Sequence, residues 1–346
     1  MTPLPASRRA WRLGRWSVLW SGRGLAVVGA LALAGALLAL ALLGTGTMKL
    51  GWPEILAGLT GRSDSVAVAN VIWRIRLPRV LTAALVGAAL GMAGAVFQSV
   101  SRNPLGSPDV IGFTTGAATG AIVQIVLVNS DPFRTALAAV LSGLATAALV
   151  LVLARRGGRA EGYRLVLVGI GVGSLLAGVN TVLLVMGDLD QAIAAQLWLA
   201  GSLNTRTWSH VGAVAAGVGL LAPVLLSHAR RLSLLEMGDD TAAQLGVPVE
   251  RTRFVLVLAA VGLTSVATAA AGPIAFVALA APQLARRLTR SSGVPLVPSA
   301  LMGGVLLLAA DLIGQRLSFS LTLPVGLMTG LLGGLYLLWL LSRRSG

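Results

Sequence analysis

The sequence predicts an all-α, polytopic membrane protein with ten transmembrane helices, and three observations carry that prediction. Of 346 residues, 56% are hydrophobic and only 11% charged, with a mean hydropathy of +0.85; a soluble domain is about one quarter charged. Uncharged apolar runs recur along the chain, each near the ~20 residues that carry a helix across ~30 Å of hydrocarbon. The basic residues fall unevenly between alternate connections, as the positive-inside rule requires.

Taken in order, residues 1–23 hold five arginines and three tryptophans ahead of an uncharged run at 24–43. That run exceeds a signal-peptide core and no A-x-A site follows, so it reads as an uncleaved first span with a cytoplasmic N-terminal segment. Further spans are predicted at 79–99, 109–128, 134–154, 164–186, 208–228, 254–272, 273–289, 297–315 and 324–342. With both termini inside, nineteen basic residues fall on the cytoplasmic side and eight outside. Spans seven and eight are divided only at Gly272-Pro273, which a single kinked helix would also accommodate. Between spans, WPEILAGL (52–59) is amphipathic, and the segment from Gly187 to Arg206 is long enough for a short interfacial helix. Gly87 and Gly91, then Gly112, Gly116 and Gly120, then Gly326, Gly330 and Gly334 recur at four-residue spacing, a pattern that lets helices approach closely.

Composition also excludes functions. There is no cysteine, hence no disulfide framework or thiolate metal site, and neither His210 nor His228 has an acidic neighbour at ligand spacing. The single lysine, Lys49, is followed by Leu50, so no P-loop is present. No paired-carboxylate, HExxH or Ser/His/Asp pattern appears, and no catalytic or metal-binding residue is assigned. A net charge of +15 reads here as membrane topology rather than nucleic-acid binding. Asp311 is essentially the one ionisable residue inside a span. With so few partners it reads as an acceptor of hydrogen bonds from a neighbouring helix, not an ion ligand.

One polar island, 230–253, interrupts the apolar runs. Ser233/Glu236 and Thr241/Gln244 have capping-box spacing, Gly238 and Gly246 suit helix stops, and Asp239 and Asp240 suit a helix N-terminus. Two very short helices follow. Helix connections usually take ~2 to 8 residues, so the island is either a folded loop or a docking knob. At the opposite face Arg74, Arg76 and Arg79 flank Leu77-Pro78, and Arg316 leaves the ninth span. They serve either as snorkelling anchors or to dock the carboxylates of a soluble partner.

RLPR (76–79), Asn103-Pro104-Leu105, GDDTAAQLGV (238–247), AGPIAFVALAAPQLARRL (271–288), LLLAAD (306–311) and LPVGLMTGLLGG (323–334) together resemble the permease subunits of bacterial ABC importers for iron-siderophore complexes, haem and cobalamin, the FecCD type. The likeness runs from about residue 70 to 342, and residues 231–290 are most similar to the ferric-enterobactin branch. It implies the type II importer permease fold, with 24–342 as one permease domain in the inner membrane and both termini cytoplasmic. The implied partners are a second, distinct permease, two copies of a cytoplasmic ATPase that holds ATP and Mg, an external substrate-binding protein, ferric-siderophore cargo and lipid. No cofactor is implied for this chain. By the same resemblance Glu236, Gly238, Asp239, Ala242, Leu245 and Gly246 belong to coupling helices seated on the ATPase. Arg76, Arg79 and Arg316 would meet the binding protein. Asn103, Leu105, Gly162 and Tyr163 match a cytoplasmic gate, where the family commonly has small hydroxyl residues at the last pair and Tyr163 departs from them. Hydroxamate siderophore, haem or cobalamin are alternative cargoes. A rival of another class is a stand-alone ion-coupled transporter using Asp311 with Asp188 or Asp190.

Overall fold

The computed structural model describes residues 8–13, 16–62, 65–156, 159–160, 162–317 and 323–342. An antiparallel ribbon, β1 (Arg8–Leu13) and β2 (Trp16–Ser21), comes first. It departs from the expected all-α chain, and its second strand, WSVLWS, is rich in the aromatic and β-branched residues that suit strands. Then come α1 (Gly22–Gly44), α2 (Trp52–Leu59) and α3 (Val66–Asn70), which runs through a π-helical stretch, Val71–Arg76, into α4 (Leu77–Ser101). α5 (Phe113–Val123) ends in a second π-helical stretch, Gln124–Val128, and α6 (Pro132–Ala154) follows. The two-residue strands β3 (Arg155–Arg156) and β4 (Arg159–Ala160) make a second ribbon. Next are α7 (Gly162–Met186), α8 (Leu189–Leu199) and α9 (Trp208–Ser227). The island folds as α10 (Ala229–Leu235) and α11 (Asp239–Gln244). The chain closes with α12 (Val249–Ala271), α13 (Val277–Thr289), α14 (Leu296–Leu317) and α15 (Val325–Ser342).

Every run expected to span holds a helix. Seven helices among the described residues are long and apolar enough to cross a membrane, the α3–α4 rod counted as one, while 113–128 and 325–338 are apolar but shorter. The protein is therefore a multi-pass membrane protein. Two expected spans differ from the prediction. The third is not helical from 109: residues 102–112 form turns, and α5 starts after Gly112 at φ 81°. The eighth is only 13 residues of helix, about 20 Å at 1.5 Å per residue. Residues 272–276 before it are non-helical, with Gly272 at φ 74° and Phe276 at φ 67°. Gly272-Pro273 is thus a break and not a kink.

The bundle is built around α4, which packs on α14, α12, α13 and α9 and is buried along most of its length. Glycine permits this. A Cβ on Gly87 would lie 2.3 Å from Gly303 O, on Gly91 2.1 Å from Ser299 O, and on Gly94 1.7 Å from Ala278 O. In α13, Pro282 has no N–H to donate to Ala278 O four residues earlier, and Gly94 faces that carbonyl. Gly116 and Gly120 bring α5 equally close to α6. The third glycine row behaves differently: Gly326 abuts Ala200 O, but Gly330 and Gly334 face open space, and it is Gly333 that touches Phe276.

This geometry predicts opposite outcomes for one substitution. Gly94→Leu forces backbones apart and should abolish the monodisperse peak in detergent size-exclusion chromatography, since overpacking against backbone costs several kcal/mol, about 3 or more. Gly330→Leu should leave the peak intact. Similar elution of both variants would refute the packing argument.

Candidate functional site

The island is a rigid knob. α10 and α11 are only seven and six residues long, too short to persist unaided, and charge pairs hold them. Arg253, in the first turns of α12, is 2% exposed and donates to Asp239 (2.7 Å) and Glu250 (3.0 Å). A guanidinium this buried is tolerated because carboxylates receive its fork. Glu236, at the end of α10, pairs with Arg286 of α13. Ser233 accepts a hydrogen bond from Val294 N–H (3.2 Å).

The expected cap positions are corrected. Ser233 and Thr241 lie inside α10 and α11, not at their starts, and Ser233 bonds back to Ala229 O. Gly238 is the residue before α11, at φ 112° and ψ 150°, a conformation that only glycine takes readily. Gly246, at φ 80°, does stop α11. Asp239 and Asp240 occupy its first turn, where carboxylates favour the helix dipole. Ala242 is fully buried under the knob, whereas Leu245 (58%) and Met237 (63%) are exposed apolar side chains at its tip.

The residues expected at a gate, Asn103, Leu105, Gly162 and Tyr163, gather at the same end. A Cβ on Gly162 would lie 2.5 Å from Val100 O, so α7 begins against the last turn of α4. Asn103 follows α4 and its side-chain oxygen accepts from Leu105 N–H (2.9 Å). Leu105 and Tyr163 are both exposed, Tyr163 at 73%. The Arg102 guanidinium approaches within 3.6 Å of the Cβ position of Gly238. The loop after α4 and the knob are therefore neighbours.

At the opposite end the three arginines expected on a docking surface separate. Arg76 is buried and donates to Leu43 O and Met48 O, satisfying the end of α1 and the turn after it. Arg79 donates to both oxygens of Asp311 (3.0 and 2.6 Å) and to Asn204 (2.8 Å), tying α4 to α14 and to the loop before α9. Asp311, 2% exposed, also accepts from Gln315 (3.0 Å), so it is the hydrogen-bond acceptor the sequence implied. Only Arg316 of the three is exposed. Asp188 caps α8 by accepting from Gln191 N–H. Arg206, just before α9, donates to Ser202 O (3.1 Å), and burial lowers its guanidinium below the ordinary value.

Sequence reasoning missed the roles of Arg253, Arg286 and Gln283. Gln283 donates to Pro104 O (2.7 Å) and accepts from the Tyr336 hydroxyl (3.3 Å). No spacing rule links partners 179 residues apart, and only the polarity of Gln283 within an apolar run marked it.

A discontinuous helical bundle with a capped polar knob at one end defines a membrane transport protein. A profile of the FecCD transport family matches residues 24–343, and the chain belongs to that family. It is 48% identical over 301 residues to the ferric enterobactin transport system permease protein FepG of Escherichia coli, covering 87% of this chain and 91% of that protein. It is 37% identical to the Fe(3+) dicitrate permease FecD of the same organism, over 90% of this chain and 96% of that one. The hemin permease HmuU of Yersinia pestis is 36% identical, covering 89% and 94%. Among solved structures, an inward-facing metal-chelate type ABC transporter superposes with a TM-score of 0.81 at 28% identity, over 92% of this chain and 99% of that one.

Removing one partner of a buried ion pair costs about 3 to 5 kcal/mol. Arg79→Ala, which strands the Asp311 carboxylate, should therefore lower the thermal unfolding midpoint in detergent by several degrees. Arg316→Ala, on an exposed side chain, should not. An unchanged midpoint in Arg79→Ala would show that the pair does not hold α4 to α14.

Proposed function

We propose that this chain is a permease subunit of an ATP-driven importer that carries a ferric siderophore, a catecholate of the enterobactin type, across a bacterial inner membrane. One observation supports it above the others: the knob is charge-anchored from within yet presents apolar Leu245 and Met237 outward. An exposed apolar tip on a rigid mount suits burial against another protein. A chain without a P-loop must receive its energy through such a contact. The likeness to FepG supports the cargo, ahead of the citrate, hydroxamate and haem relatives, which share 34–37% identity.

In this reading residues 24–342 form one domain that crosses ten times, and both termini are cytoplasmic. α5 and α13 complete their crossings through the non-helical segments 102–112 and 272–276. Non-helical backbone at that depth is tolerated when protein rather than lipid surrounds it. Glu236, Gly238, Asp239, Ala242, Leu245 and Gly246 shape the contact with one of two ATPase subunits, which hold ATP and Mg. A second, distinct permease pairs with this one around a central path. Asn103, Leu105, Gly162 and Tyr163 close that path on the cytoplasmic side. Arg316, with exposed Arg74, offers carboxylate docking to the substrate-binding protein, while Arg76 and Arg79 brace the helices beneath it. ATP binding draws the two ATPases together, the knobs follow, and the paired permeases change which side is open.

Co-expression with neighbouring proteins, followed by mild-detergent purification, tests the assembly. An ATPase and a second permease should co-elute and reconstitute ATP-dependent uptake of ferric enterobactin. A chain that elutes alone and transports on an ion gradient would overturn the reading. Leu245→Asp, which puts a charge at the knob's tip, should insert and pair normally but lose uptake at least ten-fold. Unimpaired uptake in that variant would remove the knob from the ATPase contact.

A further inference from the structure

α13 differs from the other helices of the bundle. It is 13 residues long, starts at a break and carries Pro282 in its interior, yet it makes polar contacts with two functional regions at different heights. At its C-terminal end Arg286 pairs with Glu236 of the knob, and the turn that follows is held to α10 by the Val294 N–H to Ser233 bond. One turn higher, Gln283 donates to Pro104 O (2.7 Å), between gate residues Asn103 and Leu105. At the N-terminal end, the Phe276 backbone lies against Asp109 of the loop, whose carboxylate accepts from the Thr114 hydroxyl (2.6 Å). The gate loop, 102–112, is thus tied to α13 by a hydrogen bond at Pro104 and lies against its start at Asp109, and α13 is tied to the knob. α13 is a continuous helix, whereas within 102–112 only isolated turn bonds hold the backbone, from Gly106 N–H to Asn103 O, Ile111 N–H to Ser107 O and Gly112 N–H to Asp109 O. Displacing the knob displaces the loop through α13.

We propose that α13 is the strut that sets the gate loop from the knob, with Arg286 and Gln283 as its positioning residues. The inference rests on the permease reading above. Its central link is the Gln283 bond to Pro104, because that bond reaches the residue lying between two gate positions. Gln98 supplies an internal comparison: it too donates its amide to a backbone carbonyl, Leu279 O of α13 (2.9 Å), but it joins α13 to α4 and not to the gate loop.

The test measures ATP hydrolysis and ferric-enterobactin uptake in the same proteoliposomes, with ATPase, second permease and binding protein present. Gln283→Met keeps side-chain length and removes the donor; it should lower uptake per ATP about ten-fold. Tyr336→Phe, which keeps the Pro104 bond, and Gln98→Met should each stay within about two-fold of the parent ratio. The chain has no cysteine, so Pro104→Cys with Gln283→Cys permits a second measurement. That pair should be uncoupled when reduced and regain coupling when a short bifunctional thiol reagent rejoins loop to strut, a rescue that loss of folding would not give. Normal coupling in Gln283→Met, equal losses in Gln283→Met and Gln98→Met, or no rescue on cross-linking would each overturn the strut. Parent vesicles showing no ATP-dependent uptake would instead overturn the permease reading, and the strut with it.

Discussion

The close approach of α4 to α13 and α14 is the constraint on which the rest of this structure depends. In lipid, helices gain little from burying apolar surface against each other, since acyl chains are equally apolar. Association has to come from backbone proximity, packing and hydrogen bonds. Gly87, Gly91 and Gly94 place α4 where any β-carbon would meet a carbonyl oxygen of its neighbours. With that contact fixed, α13 lies against the lower half of α4 and the gate loop has a surface to fold on. Arg79 then reaches Asp311 across the same seam. The polar link follows from the glycine contact, because an ion pair inside the bundle stabilises only when geometry lets both partners be fully bonded.

The distribution of charge follows the same logic. Arg76, Arg79 and Arg253 are drawn into the bundle or its ends, and each has carboxylates or carbonyls waiting. Arginine suits this because its planar fork satisfies several acceptors at once and its charge is weakly hydrated. Arg74 and Arg316 are exposed and have no carboxylate or carbonyl partner among the described residues, whereas exposed Arg286 still pairs with Glu236. Two populations of arginine that look alike in the sequence therefore do different work, one holding helices and the other facing solvent.

How far the fold was legible in the sequence depended on the range of each signal. The hydrophobic runs and the Gly/Pro stops are local: each run expected to span holds a helix, seven of the described helices are long and apolar enough to cross, and both short helices of the island were located. The reading of Asp311 also held, because an isolated acid in an apolar run must find a donor. Ser233 and Thr241 were misplaced because a Ser/Thr followed three residues later by Glu/Gln also arises within a helix. There the side chain bonds to its own preceding turn, as Ser233 does with Ala229 O. Arg76 and Arg79 read as surface docking groups because their partners are a backbone carbonyl 33 residues away and a carboxylate 232 residues away. Gly330 and Gly334 shared the spacing of packed glycines without the contact, since periodicity shows that residues lie on one face but not what that face meets.

The non-helical entry to α5 at 102–112 was not foreseen, whereas the break before α13 falls where the sequence divided two spans, at Gly272-Pro273. A continuous transmembrane helix satisfies every backbone group within itself, and so has little reason to respond to a neighbour. A helix that starts inside the protein leaves N–H groups that must be met by something else, and here the start of α13 lies against Asp109 of the 102–112 loop. The discontinuity thereby makes one segment's hydrogen bonding depend on another's position. That dependence gives a physical route for relaying motion through a membrane protein, and the Gln283 bond to Pro104 adds a second tie between the broken helix and the 102–112 loop.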